Sequence, residues 1–233
     1  MSEIRDSIGE IRSFWTKAAQ NEHDHRGLRP TAPDSQLQRA IEAAVGMFVY
    51  PGAKLLDVGC GDGLSALQFA QRVKMALGID YIPAFVSRAR QNAAKRHISN
   101  AVFEQGDVMD LGAIRTTHGT FDIVSVIRCL INLGNWENQA KAIAQIALCM
   151  QAGGVCIAAE GWQDGFDGLN LRRQRVGLEP IAVAEFNTPI RRSNFEAEVS
   201  KYFDVIDYYN LGFYIFMSRV VQPLLVAPDQ PRH

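Results

Sequence analysis

The sequence predicts an α/β fold in which a mostly parallel sheet carries helices on both faces. Three observations lead to this prediction. From Lys54 onward, short apolar runs alternate with helical segments, which is the pattern of βαβ units. The stretch LLDVGCGDG (residues 55–63) joins an apolar strand to a helix through a glycine-rich turn. The chain of 233 residues is 47% hydrophobic, enough to bury the core of one large domain.

Two helices and a loop are predicted before the first strand. Apolar residues recur at steps of four, three and four, which places them on one stripe of an amphipathic helix: Ile4, Ile8, Ile11 and Trp15. Residues 21–33 are polar and rich in His, Arg, Gly and Pro, which indicates a loop. Asp34 follows Pro33 and is a suitable N-cap for a second helix that continues to Phe48.

Five strands and the helices between them are predicted from residue 54 to residue 160. The strands are 54–58, 75–80, 101–105, 121–127 and 154–160, and the helices are 64–73, 83–96 and 136–150. Gly153 and Gly154 are expected to end the last helix and to turn the chain into strand five.

The chain after strand five is predicted to be less regular. Residues 161–168 are rich in Gly and Asp and indicate a loop, an Arg-rich segment covers 169–192, and a short helix covers about 193–202. Two further strands, 204–209 and 213–218, are joined by a tight Asn-Leu-Gly turn, which favours an antiparallel hairpin. The predicted sheet therefore has seven strands, of which the last is antiparallel.

Charge and cysteine content favour a soluble cytoplasmic protein. The net charge is -1 and the pI is about 6.5, so no global basic surface for nucleic acid is expected. The four cysteines are far apart and include no C-x-x-C pair, which indicates reduced thiols and no metal site. The acidic N-terminus does not resemble a signal peptide, and residues 211–226 are too interrupted for a membrane span.

The glycine turn distinguishes among nucleotides. Its spacing is G-x-G-x-G, whereas the dinucleotide fingerprint places the third glycine one position later, and no Lys-Ser or Lys-Thr follows as in a P-loop. Asp57 precedes the glycines and would repel a pyrophosphate, but it can accept hydrogen bonds from an ammonium group. S-adenosylmethionine offers an ammonium group, a sulfonium and no phosphate.

Two further acids follow the next strands. Asp80 ends the second predicted strand, where a carboxylate can accept from both hydroxyls of a ribose. Asp107 follows the third strand and can bond an adenine amino group, while Val108 and Met109 press on the ring. Because parallel strands end at one edge of a sheet, the three acids predict a single nucleoside site.

These motifs resemble those of the class I S-adenosylmethionine-dependent methyltransferases. The resemblance covers residues 55–161: E/D-x-G-x-G-x-G on residues 57–63, the acid Asp80, the G-D motif on Asp107, FDIV at 121–124 and MQAGGV at 150–155. It implies a Rossmann-like methyltransferase sheet with an N-terminal helical lid. It also implies one domain, 1–233, made of lid (1–50), cofactor-binding core (51–160), substrate-side insert (161–202) and terminal hairpin and tail (203–233).

The resemblance also implies which residues bind the donor. Asp57 and the turn are expected to line the methionine portion, Asp80 and Tyr81 the ribose, and Asp107 and Val108 the adenine. The full predicted set for S-adenosylmethionine and its product S-adenosylhomocysteine is Asp57, Gly59, Cys60, Gly61, Gly63, Asp80, Tyr81, Ile82, Asp107, Val108, Met109, Ile127 and Arg128.

The acceptor is less clearly indicated. A guanidinium at Arg128 would suit a carboxylate or phosphate on the acceptor, or the carboxylate of the cofactor. Glu160, at the end of strand five, and His25, in the N-terminal loop, are the predicted catalytic groups. The predicted acceptor contacts are Arg128, Asn132, Asn170, Arg173 and Tyr214.

The prediction is therefore a methyltransferase that acts on a small polar acceptor, anionic or sugar-like. O-methylation of a sugar, glycan or natural-product-like compound is favoured, and N-methylation of a small amine or amino sugar is the alternative. Two other hypotheses remain open at this point: a cofactor-binding regulatory protein without turnover, and an RNA methyltransferase that uses the Arg-rich segment. A homodimer through the apolar residues 213–226 is a further option.

Overall fold

The computed structural model of the protein describes residues 7–21, 31 and 34–226. In these ranges five strands form one parallel sheet of order β3-β2-β1-β4-β5: β1 Lys54–Val58, β2 Met75–Asp80, β3 Ala101–Gln105, β4 Phe121–Ile127 and β5 Met150–Ala159. The chain builds outward from β1 to β3 and then returns to β4 and β5 on the other side. The strand order therefore reverses between β1 and β4, where open α/β sheets form their ligand crevice.

The helices alternate with the strands and also precede and follow them. They are α1 Ser7–Ala18, α2 Ser35–Gly46, α3 Leu64–Ala70, α4 Pro83–Lys95, α5 Gly112–His118, α6 Trp136–Cys149, α7 Gln163–Arg175, α8 Arg192–Val199, α9 Gly212–Phe216 and α10 Gln222–Val226. A 3₁₀ turn covers Leu130–Asn132, and a π-helical turn, Met217–Val221, joins α9 to α10. The predicted N-cap is confirmed, since Asp34 Oδ1 accepts from Leu37 N at 2.9 Å.

The core lies on both faces of the sheet. Adjacent residues of one strand point to opposite faces, so that Leu56 of β1 packs in a cluster with Ile143 and Ile146 of α6, while Leu55 packs with Phe69 of α3 and Val45 of α2. All of these side chains are buried. The predicted layering of helices on both faces is thereby confirmed.

The predicted bounds of β2, β3 and β4 agree with the structure, whereas those of β5 do not. Helix α6 ends at Cys149, and β5 begins at Met150, four residues before the predicted start. The pairing of β4 with β5 shifts register between Phe121 and Ile123, where a bulge absorbs the extra residues. The glycines at 153 and 154 therefore lie within the strand rather than ahead of it.

The predicted C-terminal hairpin is wrong. Residues 204–211 form no regular structure, and residues 212–226 are helical, so that the described ranges contain no antiparallel partner for the sheet. The two oxygens of the Asp34 carboxylate accept from Tyr214 Oη at 2.8 Å and from Arg219 Nη2 at 2.6 Å. Both bonds come from the helical segment and join it to the N-cap of α2.

The segment after β5 is also more helical than predicted. Residues 161–168 were expected to be a loop, but α7 begins at Gln163, whose side chain donates to Asp167 Oδ1 at 2.7 Å one turn later. The predicted helix near 193–202 corresponds to α8. In the part of the chain that the structure describes, no helix is both long and apolar enough to cross a bilayer.

Candidate functional site

A cleft lies at the carboxyl ends of the parallel strands, beneath α1. Its volume is about 1190 Å³ when the open mouth is included. Its walls come from α1, from Thr31 and Gln38, and from the residues that follow β1, β2, β3 and β4. The lining includes the following predicted donor residues: Asp57, Gly59, Cys60, Gly61, Asp80, Tyr81, Ile82, Asp107, Val108, Met109, Ile127 and Arg128.

The glycine turn forms the floor of the cleft. Gly59 N and Cys60 N both donate to Ile79 O of β2 at 2.9 Å, which ties the turn to the neighbouring strand. Gly59 and Gly61 have φ of +70° and +53°, a region that favours glycine. A Cβ on Gly59 would come within 2.7 Å of Cys129 Sγ, so the turn also packs tightly against the residues after β4.

Asp57 lies at the base of the turn and is 2% exposed. Its Oδ1 accepts from Ser125 Oγ of β4 at 2.7 Å. Burial raises the pKa of Asp57 to about 7, although the Ser125 hydroxyl acts in the opposite direction. This carboxyl group therefore changes its charge near neutral pH.

Asp80 connects the turn to the start of α4. Its Oδ2 accepts from Gly61 N at 2.9 Å and its Oδ1 from Ile82 N at 2.8 Å. Burial raises the pKa of Asp80 to about 6, whereas both backbone hydrogen bonds lower it. Each carboxylate oxygen has two lone pairs, so both oxygens retain capacity for a hydroxyl donor from the cleft.

Asp107 is held by α1 as well as by its own loop. Its Oδ2 accepts from Arg12 Nη2 at 2.8 Å, and its Oδ1 accepts from Met109 N at 2.9 Å. The Arg12 guanidinium also lies 3.9 Å from the centre of the Tyr81 ring. Through Arg12 the first helix thus contacts the residues at the ends of β2 and β3.

The other end of α1 reaches the residues after β4. Trp15 Nε1 donates to Asn132 Oδ1 at 3.0 Å, and Asn132 Nδ2 donates to Arg128 O at 2.7 Å. Phe186, from the segment after α7, stacks on Phe14 at 4.0 Å and meets Trp15 edge to face. Trp15 therefore lines the cleft on the β4 side, and Phe14 and Phe186 pack against it.

Arg128 is the first residue after β4 and has a strained backbone. Its φ of +53° is uncommon for a residue with a Cβ, and strain of this kind often occurs at functional sites. The guanidinium lines the cleft, and its Nη1 lies 3.4 Å from Thr31 O. Burial lowers the pKa of Arg128, while the charges of Glu160 and Asp34 raise it.

Glu160, a predicted catalytic group, is placed behind the cleft and is absent from its lining. Its carboxylate accepts from three successive backbone N–H groups, those of Cys129 and Leu130 at 2.9 Å and that of Ile131 at 3.3 Å. Burial raises the pKa of Glu160 to about 7. The geometry supports a positioning role for the loop after β4 and does not support a base at the acceptor.

Three predicted acceptor contacts lie outside the cleft. Their polar groups form hydrogen bonds with other segments of the chain instead. Asn170 exchanges two hydrogen bonds with Ile181, Arg173 donates to Glu179 O and to Arg219 O, and Tyr214 bonds Asp34. The Arg-rich segment is likewise divided among local partners: Arg172 bonds Gly168 O, and Arg192 pairs with Glu196. Arg128 and Asn132 are the predicted acceptor contacts that do reach the cleft.

Gly63 is not part of the cleft lining; a Cβ there would meet Ala89 and Phe103, so this glycine allows α3 to pack closely on its neighbours. His25 lies outside the described residues.

Sequence reasoning missed Arg12 and Ser125. Ser125 follows the buried pattern of β4, and Arg12 lies beside the apolar stripe of α1, so neither shows a signal before the tertiary contacts are known.

The charges of the cleft fit S-adenosylmethionine. Its lining includes four carboxyl groups, Asp57, Asp62, Asp80 and Asp107, and two guanidinium groups, Arg12 and Arg128. The acids lie where a ribose and an ammonium group would be bound, and they would repel the phosphates of a dinucleotide. The β1 turn, the strand-end acids and the sheet order together define a class I S-adenosylmethionine-dependent methyltransferase.

The comparison with known families agrees with this assignment. Residues 50–201 match the family described as methyltransferase domain, and the chain belongs to that family. The predicted enzyme class and cofactor are thereby confirmed.

Individual relatives are more distant. The chain is 29% identical over 143 residues to a ubiquinone biosynthesis O-methyltransferase of Acinetobacter baumannii (strain AYE), covering 61% of this chain and 59% of that one. A structure of magnesium protoporphyrin IX methyltransferase from Synechocystis PCC 6803 with bound SAM has a TM-score of 0.64 at 16% identity, over 90% of this chain and 92% of that one. A complex of DhpI with SAH has a TM-score of 0.53 at 16% identity, over 67% and 70%. The two structures support the fold.

Proposed function

We propose that this methyltransferase acts on a hydroxyl oxygen of a small neutral or anionic acceptor with an apolar body. One observation carries the proposal. The four carboxyl groups of the cleft lining lie at the ends of β1, β2 and β3 or just after them, whereas the lining at the end of β4 and after it consists of Ile127, Arg128, Cys129, Asn132 and Leu133. Among the described residues this side offers no carboxylate to a protonated amine, and a guanidinium disfavours one, so a hydroxyl acceptor is preferred over an amino acceptor.

Apolar side chains in the cleft lining favour an acceptor with an apolar body. Ile8, Ile11 and Trp15 of α1 line the cleft together with Leu133, and Phe186 meets Trp15 edge to face. An acceptor with a flat apolar face gains from burial against these side chains. Among the predicted acceptor classes, natural-product-like hydroxyl compounds are therefore favoured over sugars. The name of the Acinetobacter relative, an O-methyltransferase, agrees with oxygen as the nucleophile.

The chemistry requires little of the protein besides placement. Bound S-adenosylmethionine supplies an electrophilic methyl group on a sulfonium, and the acceptor oxygen must approach it in line, at about 3 Å. The turn after β1 and the acids after β2 and β3 hold the donor, and α1 excludes water. Asn132 is oriented by Trp15 and is suitably placed to orient the acceptor hydroxyl.

The hydroxyl proton requires an acceptor group. Glu160 is occupied by three backbone N–H groups, and the described lining contains no histidine. We retain His25 as the proposed base because Thr31, six residues later, lines the cleft.

The proposal is tested with labelled S-adenosylmethionine and three matched panels of acceptors: phenolic acids, sugars and primary amines. We expect label in the phenolic acids, with ether formation shown by mass spectrometry. Label found in amines alone would refute the oxygen assignment. His25→Gln is expected to lower the turnover number by about 100-fold or more, while the neighbouring His23→Gln serves as the control.

A further inference from the structure

We propose that Arg128 binds the carboxylate of the donor's methionine moiety, so that the residue after β4 selects cofactors that carry an intact amino acid. The proposal concerns the donor end of the cleft and is independent of the acceptor. It separates the two roles that the sequence left open for this guanidinium, the carboxylate of the cofactor and an anionic group on the acceptor. Four features of the structure support the first role.

The backbone of Arg128 is fixed at both sides of the residue. Its N–H donates to Ala159 O of β5 at 2.9 Å, and its carbonyl accepts from Asn132 Nδ2 at 2.7 Å. These bonds hold the left-handed φ of +53°, which is unfavourable in a residue other than glycine. A conformation maintained at this cost directs the side chain out of the regular path of the strand.

The side chain reaches Thr31, which packs against the glycine turn. Its Nη1 lies 3.4 Å from Thr31 O, and Thr31 packs so closely on Gly61 that a Cβ at that glycine would come within 2.9 Å of Thr31 Cγ2. The next residue, Cys129, is packed against Gly59. The guanidinium thus spans the part of the turn where the methionine portion is expected.

Within the described residues, most N–H groups of the guanidinium have no hydrogen-bond partner. A guanidinium carries five N–H groups, and the long contact with Thr31 O engages one of them. Among residues 7–21, 31 and 34–226, no carboxylate lies within the 4.0 Å of an ion pair with Arg128. A buried cation with free donors is well suited to a bidentate carboxylate.

The distribution of charge gives the donor one orientation. Asp57 lies at the β1 end of the turn and Asp80 at the β2 end, so a carboxylate placed near either would be repelled. The ammonium group of the methionine moiety is attracted to the same acids. The carboxylate is therefore directed toward β4, where Arg128 is the lining residue with a positive charge.

The test compares two ligands that differ in the amino acid portion. Calorimetric affinities are measured for S-adenosylhomocysteine, which carries the carboxylate, and for 5′-methylthioadenosine, which lacks it. Arg128→Gln is expected to weaken the affinity for S-adenosylhomocysteine by about 10- to 100-fold, the range for one lost charged hydrogen bond. The affinity for 5′-methylthioadenosine should fall by less than about 2-fold. Arg128→Lys should give an intermediate loss. Arg115→Gln, an exposed arginine on α5, is the control for general charge and should change neither affinity.

Each other outcome overturns the proposal. Equal weakening of both ligands would show that Arg128 only maintains the shape of the loop. Unchanged affinity for both would assign the guanidinium to the acceptor. Failure of the acceptor panels described above would leave this test unaffected, because its readout is binding of the product and its fragment rather than methyl transfer.

Discussion

Arg12 of the first helix donates to Asp107, the acid after the third strand, at 2.8 Å across 95 residues of chain. The same guanidinium lies over the ring of Tyr81. These contacts fasten α1 above the part of the cleft where the adenosine of the donor is expected. Both side chains of the ion pair are about one-third exposed, so the pair contributes little by itself, about 0.2–1 kcal/mol.

The first prediction concerns this fastening. Arg12→Ala should weaken the binding of S-adenosylhomocysteine by about 3- to 10-fold, because the ion pair and a cation–π contact are lost together. Hydrogen exchange in α1 should become faster, and bound ligand should slow it less than in the wild type. Lys17→Ala, at the exposed end of the same helix, is the control. If α1 of the Arg12 variant exchanged at the wild-type rate, the contacts of Arg12 with Asp107 and Tyr81 would not be needed to hold this helix.

The second prediction concerns Asp80. Asp80→Ala should weaken donor binding by about 1–3 kcal/mol, since a charged acceptor is removed from the ribose. It also leaves Gly61 N and Ile82 N without their acceptor. Asp80→Asn keeps one carbonyl oxygen and should lose less. Calorimetry gives the affinities, and a thermal unfolding midpoint separates loss of the ligand contact from loss of the fold. Unchanged affinity in a folded Asp80→Ala protein would place the ribose elsewhere.

The third prediction separates positioning from catalysis at Glu160. If this carboxylate positions the loop after β4, Glu160→Gln should weaken S-adenosylhomocysteine and reduce kcat together, because a neutral amide accepts more weakly from three N–H groups. A base would behave differently: kcat would fall by about 100-fold or more at unchanged affinity. The pH dependence of kcat in Glu160→Gln is the deciding measurement, and loss of an ionisation near pH 7 with full ligand affinity would contradict the positioning role.

The three strand-end acids could be predicted from the sequence because a parallel sheet brings strand ends together whatever the rest of the chain does. Asp57, Asp80 and Asp107 each follow an apolar run of strand length, and this local pattern was sufficient. The helix from Gly212 to Val226 could not be predicted in the same way. Phe213, Tyr214, Ile215 and Phe216 have high β propensity, and the helical segment makes its hydrogen bonds with Asp34, about 180 residues earlier in the chain.

The acceptor side was harder to predict for a related reason. Asn170 and Arg173 lie in the segment where acceptor contacts were expected, but each satisfies backbone groups of its own neighbourhood. A polar side chain in a loop has many local partners for hydrogen bonding. The sequence alone does not identify which of these partners it binds in the folded protein. Arg12 is the opposite case, a residue without a motif that the packing of α1 brings to the donor site.

The fourth prediction follows from the buried acid Asp57. Its pKa in the folded protein is about 7, compared with an ordinary value of 3.8. The group is protonated in both states below pH 4. As the pH rises from about 4 to about 7, the unfolded chain releases the proton first, so the free energy of unfolding falls over this window. Asp57→Asn removes this contribution. Its free energy of unfolding, relative to that of the wild type, should therefore rise by about 2–4 kcal/mol as the pH goes from 4 to 7.

Denaturant unfolding at several pH values measures this difference. Asp204→Asn is the control, because Asp204 is exposed and lies in the irregular segment before α9. The Asp57 variant should show a flatter dependence on pH, whereas the control should follow the wild type. Parallel curves for the wild type and Asp57→Asn would mean that the folded protein accommodates the ionised Asp57 without a penalty.

The last prediction compares two glycines with nearly the same backbone conformation. Gly63 precedes α3 with φ of +79°, and a Cβ there would come within 2.7 Å of Ala89 Cβ and 2.8 Å of the Phe103 ring. Gly177 has φ of +77°, but a Cβ there would meet no atom within 4 Å. Gly177→Ala therefore reports the cost of the left-handed backbone alone, about 1–2 kcal/mol. Gly63→Ala adds overpacking in the core, typically another 1–3 kcal/mol. Chemical denaturation of both variants measures the difference, and equal destabilisation would show that α3 can move away from α4 and β3 without cost.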